Sequence, residues 1–330
     1  MATAIGHYLW PPRWVGDPPR WADPAHWMER LPVELTDMSA VMAESDLPDG
    51  LAVRAYRDGM VAYNFEAWGD VSLGLDTDFH ENVEALAPRA QLINAHLACL
   101  QAQGLPPLRY AVATPWRIMH IAYETGDFVG MSGTSDGSSL VFLNLARREV
   151  PTNLGEWRYA RMDRPVTVEE MERSFTLLRA LLERPDKDAT LLRASMLLRS
   201  GTGLLDGDYG GGLTYAWTAI ESMLGDMMRR YLSDCSSRPT GDSERTFMNA
   251  KRRAFLEGAD TTAAHIAEFL SLADRLPFEL YELVGECRKL RNAWLHSTKH
   301  PTYDEAWRAL FTARLLFAEA EGVDLEDGVA

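Results

Sequence analysis

The chain has 330 residues and a mass of 37.0 kDa, with 46% hydrophobic, 25% charged and 10% aromatic residues. This composition suits two globular domains and excludes disorder over most of the length. The 33 basic against 48 acidic residues give a net charge of -15, so the whole-molecule field repels nucleic acid and anionic membranes, and any phosphate partner must be held locally.

The three cysteines, Cys99, Cys235 and Cys287, lie far apart without a CxxC pair, which argues against a disulfide framework or a zinc finger and fits a reducing compartment. The first residues lack the basic start and apolar centre of a signal peptide, and no apolar run approaches the ~18 residues of a membrane span. A cytoplasmic location is the expectation, with no membrane partner.

From Met1 to about Asp49 the chain reads as irregular, with tryptophans and prolines from Trp10 to Trp27 in alternation. Leu51–Tyr56 and Met60–Phe65 flank Asp58-Gly59, a two-residue hairpin signal, and predict two strands. Apolar spacing from Asn82 to Gln103, stopped by Gly104, predicts a helix. Further strand-like runs follow at Arg109–Val112, Ile118–Tyr123 and Leu140–Leu145. After about residue 160 the texture changes to helical periodicity, with helices expected at 167–184, 188–200, 211–234, 242–272, 277–296 and 302–320. The expected organisation is an α+β domain over 1–160 followed by an all-α bundle over 161–330.

The most informative stretch runs from Leu280 to His300. On a helix, Leu280, Leu283, Cys287, Leu290 and Trp294 recur every three or four residues as one apolar stripe facing the bundle core. Lys289, Asn292 and His296 share another face, where the Asn amide could hold the imidazole in one orientation. Arg288, Lys289, Arg291 and Lys299 make the strip locally basic.

Arg291-Asn292-Ala293-Trp294-Leu295-His296 resembles the Arg-x4-6-His motif of HEPN domains, in which a polar residue, often Asn, follows the Arg. Upstream, Leu213 to Leu224, containing Ala219-Ile220-Glu221, resembles the Ala-Leu-Glu-type helix of the Apea-like HEPN group. The middle segment Arg252-Arg253-Ala254-Phe255-Leu256 keeps the same order, and the likeness covers about residues 165 to 320. Ser297 stands where members of the group often carry Gly.

The resemblance implies an HEPN-like all-α bundle and a metal-independent endoribonuclease working as a homodimer, with two Arg/His motifs meeting at the dimer interface. It implies no cofactor and no metal, and it suggests prokaryotic defence or toxin-like growth arrest as the setting. Chemically, attack by the adjacent 2′-hydroxyl needs a proton acceptor or donor, which suits His296, and a fixed cation for charge growing on phosphorus, which suits Arg291. Asn292 would orient these groups, while Arg288, Lys289 and Lys299 would hold RNA. Glu221 would pair with or position Arg291, or else lie buried against an arginine inside the bundle. The alternative is a noncatalytic HEPN module that dimerises or binds nucleotide or RNA for a sensor domain. Five residues turn a regular helix by about 140° beyond one full turn, so Arg291 and His296 do not share a face within one chain. A helix end at Ser297 could bend His296 back, and pairing two chains removes the problem as well, which favours a dimer.

Other signals carry less. Gly133-Thr134-Ser135-Asp136-Gly137 matches a nucleophile elbow in letters, but a strand-like run follows where a helix is required. The glycine-rich stretch Gly201–Gly212 lacks Gly-Lys-Ser/Thr and reads as a flexible link between helices. His296 and His300 have a metal-ligand spacing but no third ligand in pattern.

Overall fold

A computed structural model describes residues 2–9, 13–17, 40–68, 79–103, 112–115, 118–124, 127–133, 165–236, 250–256, 258 and 261–325. An antiparallel sheet with a helix laid on it precedes a helical region, so the chain is α+β and then helical. Two compact units divide at Leu198/Arg199. The predicted runs at Arg109–Val112 (apart from Val112) and Leu140–Leu145, and the Ser135 turn, lie outside the described residues, as does most of the tryptophan-proline stretch.

The first unit is built on a six-stranded sheet in the order β2-β3-β4-β1-β5-β6, every neighbour antiparallel. The strands are β1 (Ala2–Tyr8), β2 (Val41–Asp46), β3 (Ala52–Tyr56), β4 (Met60–Asn64), β5 (Met119–Glu124) and β6 (Asp127–Gly133). The expectation of irregular chain up to Asp49 is corrected, because β1 and β2 fall inside it. β1 occupies the centre of the sheet, between β4 and β5.

The hairpin is present, but its connection has three residues, Arg57 to Gly59, where two were expected, because β3 ends at Tyr56; Gly59 has φ 85°. A Cβ on Gly59 would stand 2.1 Å from the Arg13 carbonyl oxygen, so both the backbone conformation and the space demand glycine. Asp58 closes the turn by accepting from the Met60 amide at 3.1 Å and from the Tyr8 hydroxyl at 2.8 Å.

Helix α1 (Phe79–Gln101) is buried continuously from Leu92 to Leu100. Helix α2 (Val168–Leu182) packs on α1 and on β2. A reciprocal capping box starts α2, the Thr167 hydroxyl accepting from the Glu170 amide and the Glu170 carboxylate from the Thr167 amide. Its Met171, Phe175, Leu178 and Leu182 form the buried stripe.

A polar network crosses this core. The Tyr63 hydroxyl lies 2.6 Å from His96 Nδ1, His96 Nε2 lies 2.9 Å from Ser174 Oγ, and Ser174 donates to the Met171 carbonyl at 2.6 Å. That last bond fixes the direction of the others: Nε2–H donates to Ser174, and Nδ1 accepts from Tyr63. Burial, with His7 adding repulsion, holds His96 down at about 3, and burial raises the Tyr63 and Cys99 groups. The imidazole is therefore a neutral core group, satisfied at both nitrogens.

Helix α3 (Lys187–Asp206) runs from the first unit into the second. The second unit continues with α4 (Tyr209–Ser236), α5 (Ala250–Leu256), α6 (Ala263–Leu272), α7 (Phe278–Ser297) and α8 (Tyr303–Glu321). Long α4 is the axis, with α6, α7 and α8 packed on it. The helix expected over 242–272 is two helices, because the Thr262 hydroxyl caps a fresh start by accepting from the His265 amide.

The flexible link expected at Gly201–Gly212 is also corrected. Helix α3 continues to Asp206 and only Gly207 and Asp208 intervene before α4. A Cβ on Gly203 would meet the backbone of Asp208 and Gly212 at 3.0 Å, and Ser200 Oγ donates to the Gly212 carbonyl at 2.8 Å. These glycines serve backbone-to-backbone contact between α3 and α4 rather than mobility. Among the described residues no helix is long and apolar enough to cross a membrane.

Candidate nucleic-acid interface

Helix α7 presents its core side through Leu280, Val284 and Cys287, all buried, and its outer side through exposed Glu282, Lys289 and His296. Burial pushes the Cys287 thiol up to about 11, which makes it a packing group rather than a nucleophile. The C-terminal end of α7 is fixed by Trp294. A Cβ on Gly210, at the start of α4, would lie 2.6 Å from the Trp294 ring, so glycine there admits the indole. His300 closes over Trp294 with ring centroids 4.6 Å apart.

The helix stays regular through His296 and ends after Ser297. Thr298 takes the left-handed conformation, φ 49°, and the Lys299 amide bonds back to the Ala293 carbonyl at 3.2 Å. The exit that glycine often provides is thus made by a threonine one residue later. Because His296 lies within regular helix, it stands about 140° around the axis from Arg291. Within one chain the two groups are not brought together.

Arg291 is half-buried, and its Nη1 donates to Asn292 Oδ1 at 3.1 Å. Asn292 therefore holds the guanidinium, not the imidazole as the shared face suggested. Exposed Arg288 and Lys289 have no carboxylate partner among the described residues, nor has Arg291. Lys299 is exposed and lies 4.0 Å from Glu305. Elsewhere in this acidic chain cations such as Arg54, Lys187, Arg229, Arg230 and Arg308 face carboxylates. The α7 end is thus a local positive surface with an exposed imidazole on its rim.

Glu221 is exposed on α4 and makes no hydrogen bond or ion pair among the described residues. It lies about 16 Å of helix beyond Gly210, the point where the last turns of α7 touch α4. It neither pairs with Arg291 nor sits buried against an arginine.

Sequence reasoning missed the rings around this end. Tyr209 meets Tyr303 edge to face at 5.9 Å, and Tyr303 lies parallel to Trp307 at 6.5 Å. The signal was legible as Trp294, His300, Tyr303 and Trp307 within one short stretch. A groove of about 510 Å³ lined by Leu272, Asp274, Arg275, Phe278 and Tyr281 lies at the opposite end of α7, about 27 Å of helix from His296. Among the described residues no group of three or more His, Cys, Asp or Glu is placed to hold a metal ion. No family model, curated protein or solved structure matches the chain.

Proposed function

We propose that the second unit is an HEPN-type metal-independent endoribonuclease that works as a homodimer. In this reading Arg291 of one copy and the partner's His296 flank a single ribose-phosphate linkage. The 2′-oxygen attacks phosphorus as His296 accepts or relays its proton, the 5′-oxygen departs with a proton, and the ends are a 2′,3′-cyclic phosphate and a 5′-hydroxyl. Arg291 carries the negative charge that grows on the phosphoryl oxygens, through bidentate contacts worth about 1.5–3 kcal/mol each. Asn292 holds that guanidinium in place, and Arg288, Lys289 and Lys299 collect the neighbouring phosphates. Defence or growth arrest in a prokaryote is the setting that the resemblance suggests.

The observation that carries the reading is the run Arg288, Lys289 and Arg291, without a carboxylate partner among the described residues, on the same helix as exposed His296 in a chain of net charge -15. Local cations can capture a polyanion despite the overall charge, because exposed charges beyond about 8 Å are largely screened at physiological salt. The 140° separation within one chain favours the second reading, a noncatalytic dimerising or RNA-binding module, unless two chains share each site.

Mixing two inactive variants separates them. Arg291→Ala and His296→Ala proteins should each fold and each lose cleavage of mixed-sequence RNA by at least about 100-fold, with wild-type cleavage surviving chelator. Co-refolded one to one, they should recover about a quarter of wild-type activity, since half the dimers are mixed and one of two sites in each is intact. Wild-type protein that leaves RNA whole, or variants that cleave like wild type, refutes the nuclease reading.

A further inference from the structure

We infer that the rings at this end of the second unit form a stacking platform for an unstacked base of single-stranded RNA, next to the linkage held by Arg291. This inference rests on the nuclease reading and names the form of RNA the site takes.

The rings form two groups that meet at Gly210. His300 lies over Trp294 at 4.6 Å, and Trp294 rests on Gly210. Tyr209, adjoining Gly210, meets Tyr303 at 5.9 Å, and Tyr303 lies parallel to Trp307 within 8° at 6.5 Å. These rings are not spent on the core. Tyr303 is 43% exposed, His300 is exposed, and Tyr209, Trp294 and Trp307 are half-buried. The seat is the parallel pair Tyr303 and Trp307, which Tyr209 buttresses edge-on at 80°. An aromatic face kept at the surface and braced by its neighbours has little ordering left to do when a base stacks on it.

Charge sorts the two halves of a nucleotide. Arg288, Lys289 and Arg291 of α7 have no carboxylate partner among the described residues and suit phosphates. On the ring side Asp208 and Asp304 are exposed, and Glu305 is committed to the Thr302 amide at 2.8 Å. Phosphate is disfavoured there, whereas the neutral face of a base is not. A strand crossing this end would therefore run its backbone along α7 and turn a base onto Tyr303. A duplex keeps its base faces stacked and cannot do this.

The test uses the full chain and a 2′-O-methyl oligonucleotide containing 2-aminopurine, which binds but cannot be cleaved, both single-stranded and annealed to its complement. Wild type and Tyr303→Phe should quench the 2-aminopurine and bind the single strand alike. Tyr303→Leu, which keeps an apolar residue at the exposed first position of α8, should bind about five- to 150-fold more weakly and quench less, the range a stacked base is worth. Equal affinity for Tyr303→Leu and wild type, or for duplex and single strand, overturns the platform. If unblocked RNA is cleaved while Tyr303→Leu changes nothing, the platform falls and the nuclease stands. If quenching depends on Tyr303 but no RNA is cut, the platform stands and the nuclease falls. Absence of any binding removes both.

Discussion

Acidification should destabilise the first unit through His96, and the size of the effect follows from its burial. The neutral ring is satisfied by Tyr63 and Ser174 and has its folded value held at about 3, by burial first and by His7 second. In the unfolded chain an imidazole titrates near 6.5. Well above pH 6.5 both states are neutral and His96 adds no pH dependence. As pH falls from 6.5 toward 3, the unfolded chain binds a proton that the folded chain refuses, so stability declines by up to about 1.4 kcal/mol per pH unit. Between pH 7 and pH 4.5 the loss sums to about 2.5 kcal/mol, a large share of the 5–15 kcal/mol typical of a domain. Urea unfolding followed by far-ultraviolet circular dichroism, at both pH values, measures it. His96→Gln keeps a donor and an acceptor but no titration, and carboxylates shared by the two proteins cancel in the comparison. Wild type should lose about 2.5 kcal/mol more than His96→Gln on acidification, and equal losses would refute the buried neutral imidazole.

Two further outcomes are expected. Gly210→Ala should destabilise the second unit by about 1–3 kcal/mol despite alanine's better helix propensity, because the new methyl meets the Trp294 ring at 2.6 Å; adding Trp294→Phe should recover part of the loss in thermal denaturation. Glu221→Gln should change stability by less than about 0.5 kcal/mol and leave RNA affinity unaltered, since its side chain is exposed and has no partner among the described residues; a larger loss on denaturant titration would place a partner against it.

The helices were legible wherever one face is apolar and the ends are chemically marked. Apolar periodicity placed α2, α7 and α8, and the structure adds the reciprocal caps Thr167 with Glu170 and Thr302 with Glu305 that start α2 and α8. The strands fared unevenly. Asp58-Gly59 marks the β3–β4 hairpin by local chemistry, whereas β1, Ala-Thr-Ala-Ile-Gly-His-Tyr, has little alternation and owes its conformation to neighbours on both sides. Glycine misled at Gly203 and Gly212, since a residue without a Cβ signals close packing and mobility with the same letter.

At the candidate site, spacing alone placed Lys289, Asn292 and His296 on one face and Arg291 off it. Which neighbour Asn292 bonds is a matter of side-chain reach, and spacing does not decide that. The ring cluster needed the fold, because Tyr209 joins Tyr303 only once α4 and α8 are packed together.

The middle position of β1 has a consequence for the nascent chain. Its two hydrogen-bonding partners are encoded far downstream, and β5 ends at Glu124. At an elongation rate of about 5–20 residues per second, roughly 6–23 s pass between synthesis of Tyr8 and of Glu124. Through that interval a strand destined for the interior waits without its hydrogen-bonding neighbours, so a slow codon or a holdase acting in this window bears directly on how much chain reaches the finished sheet.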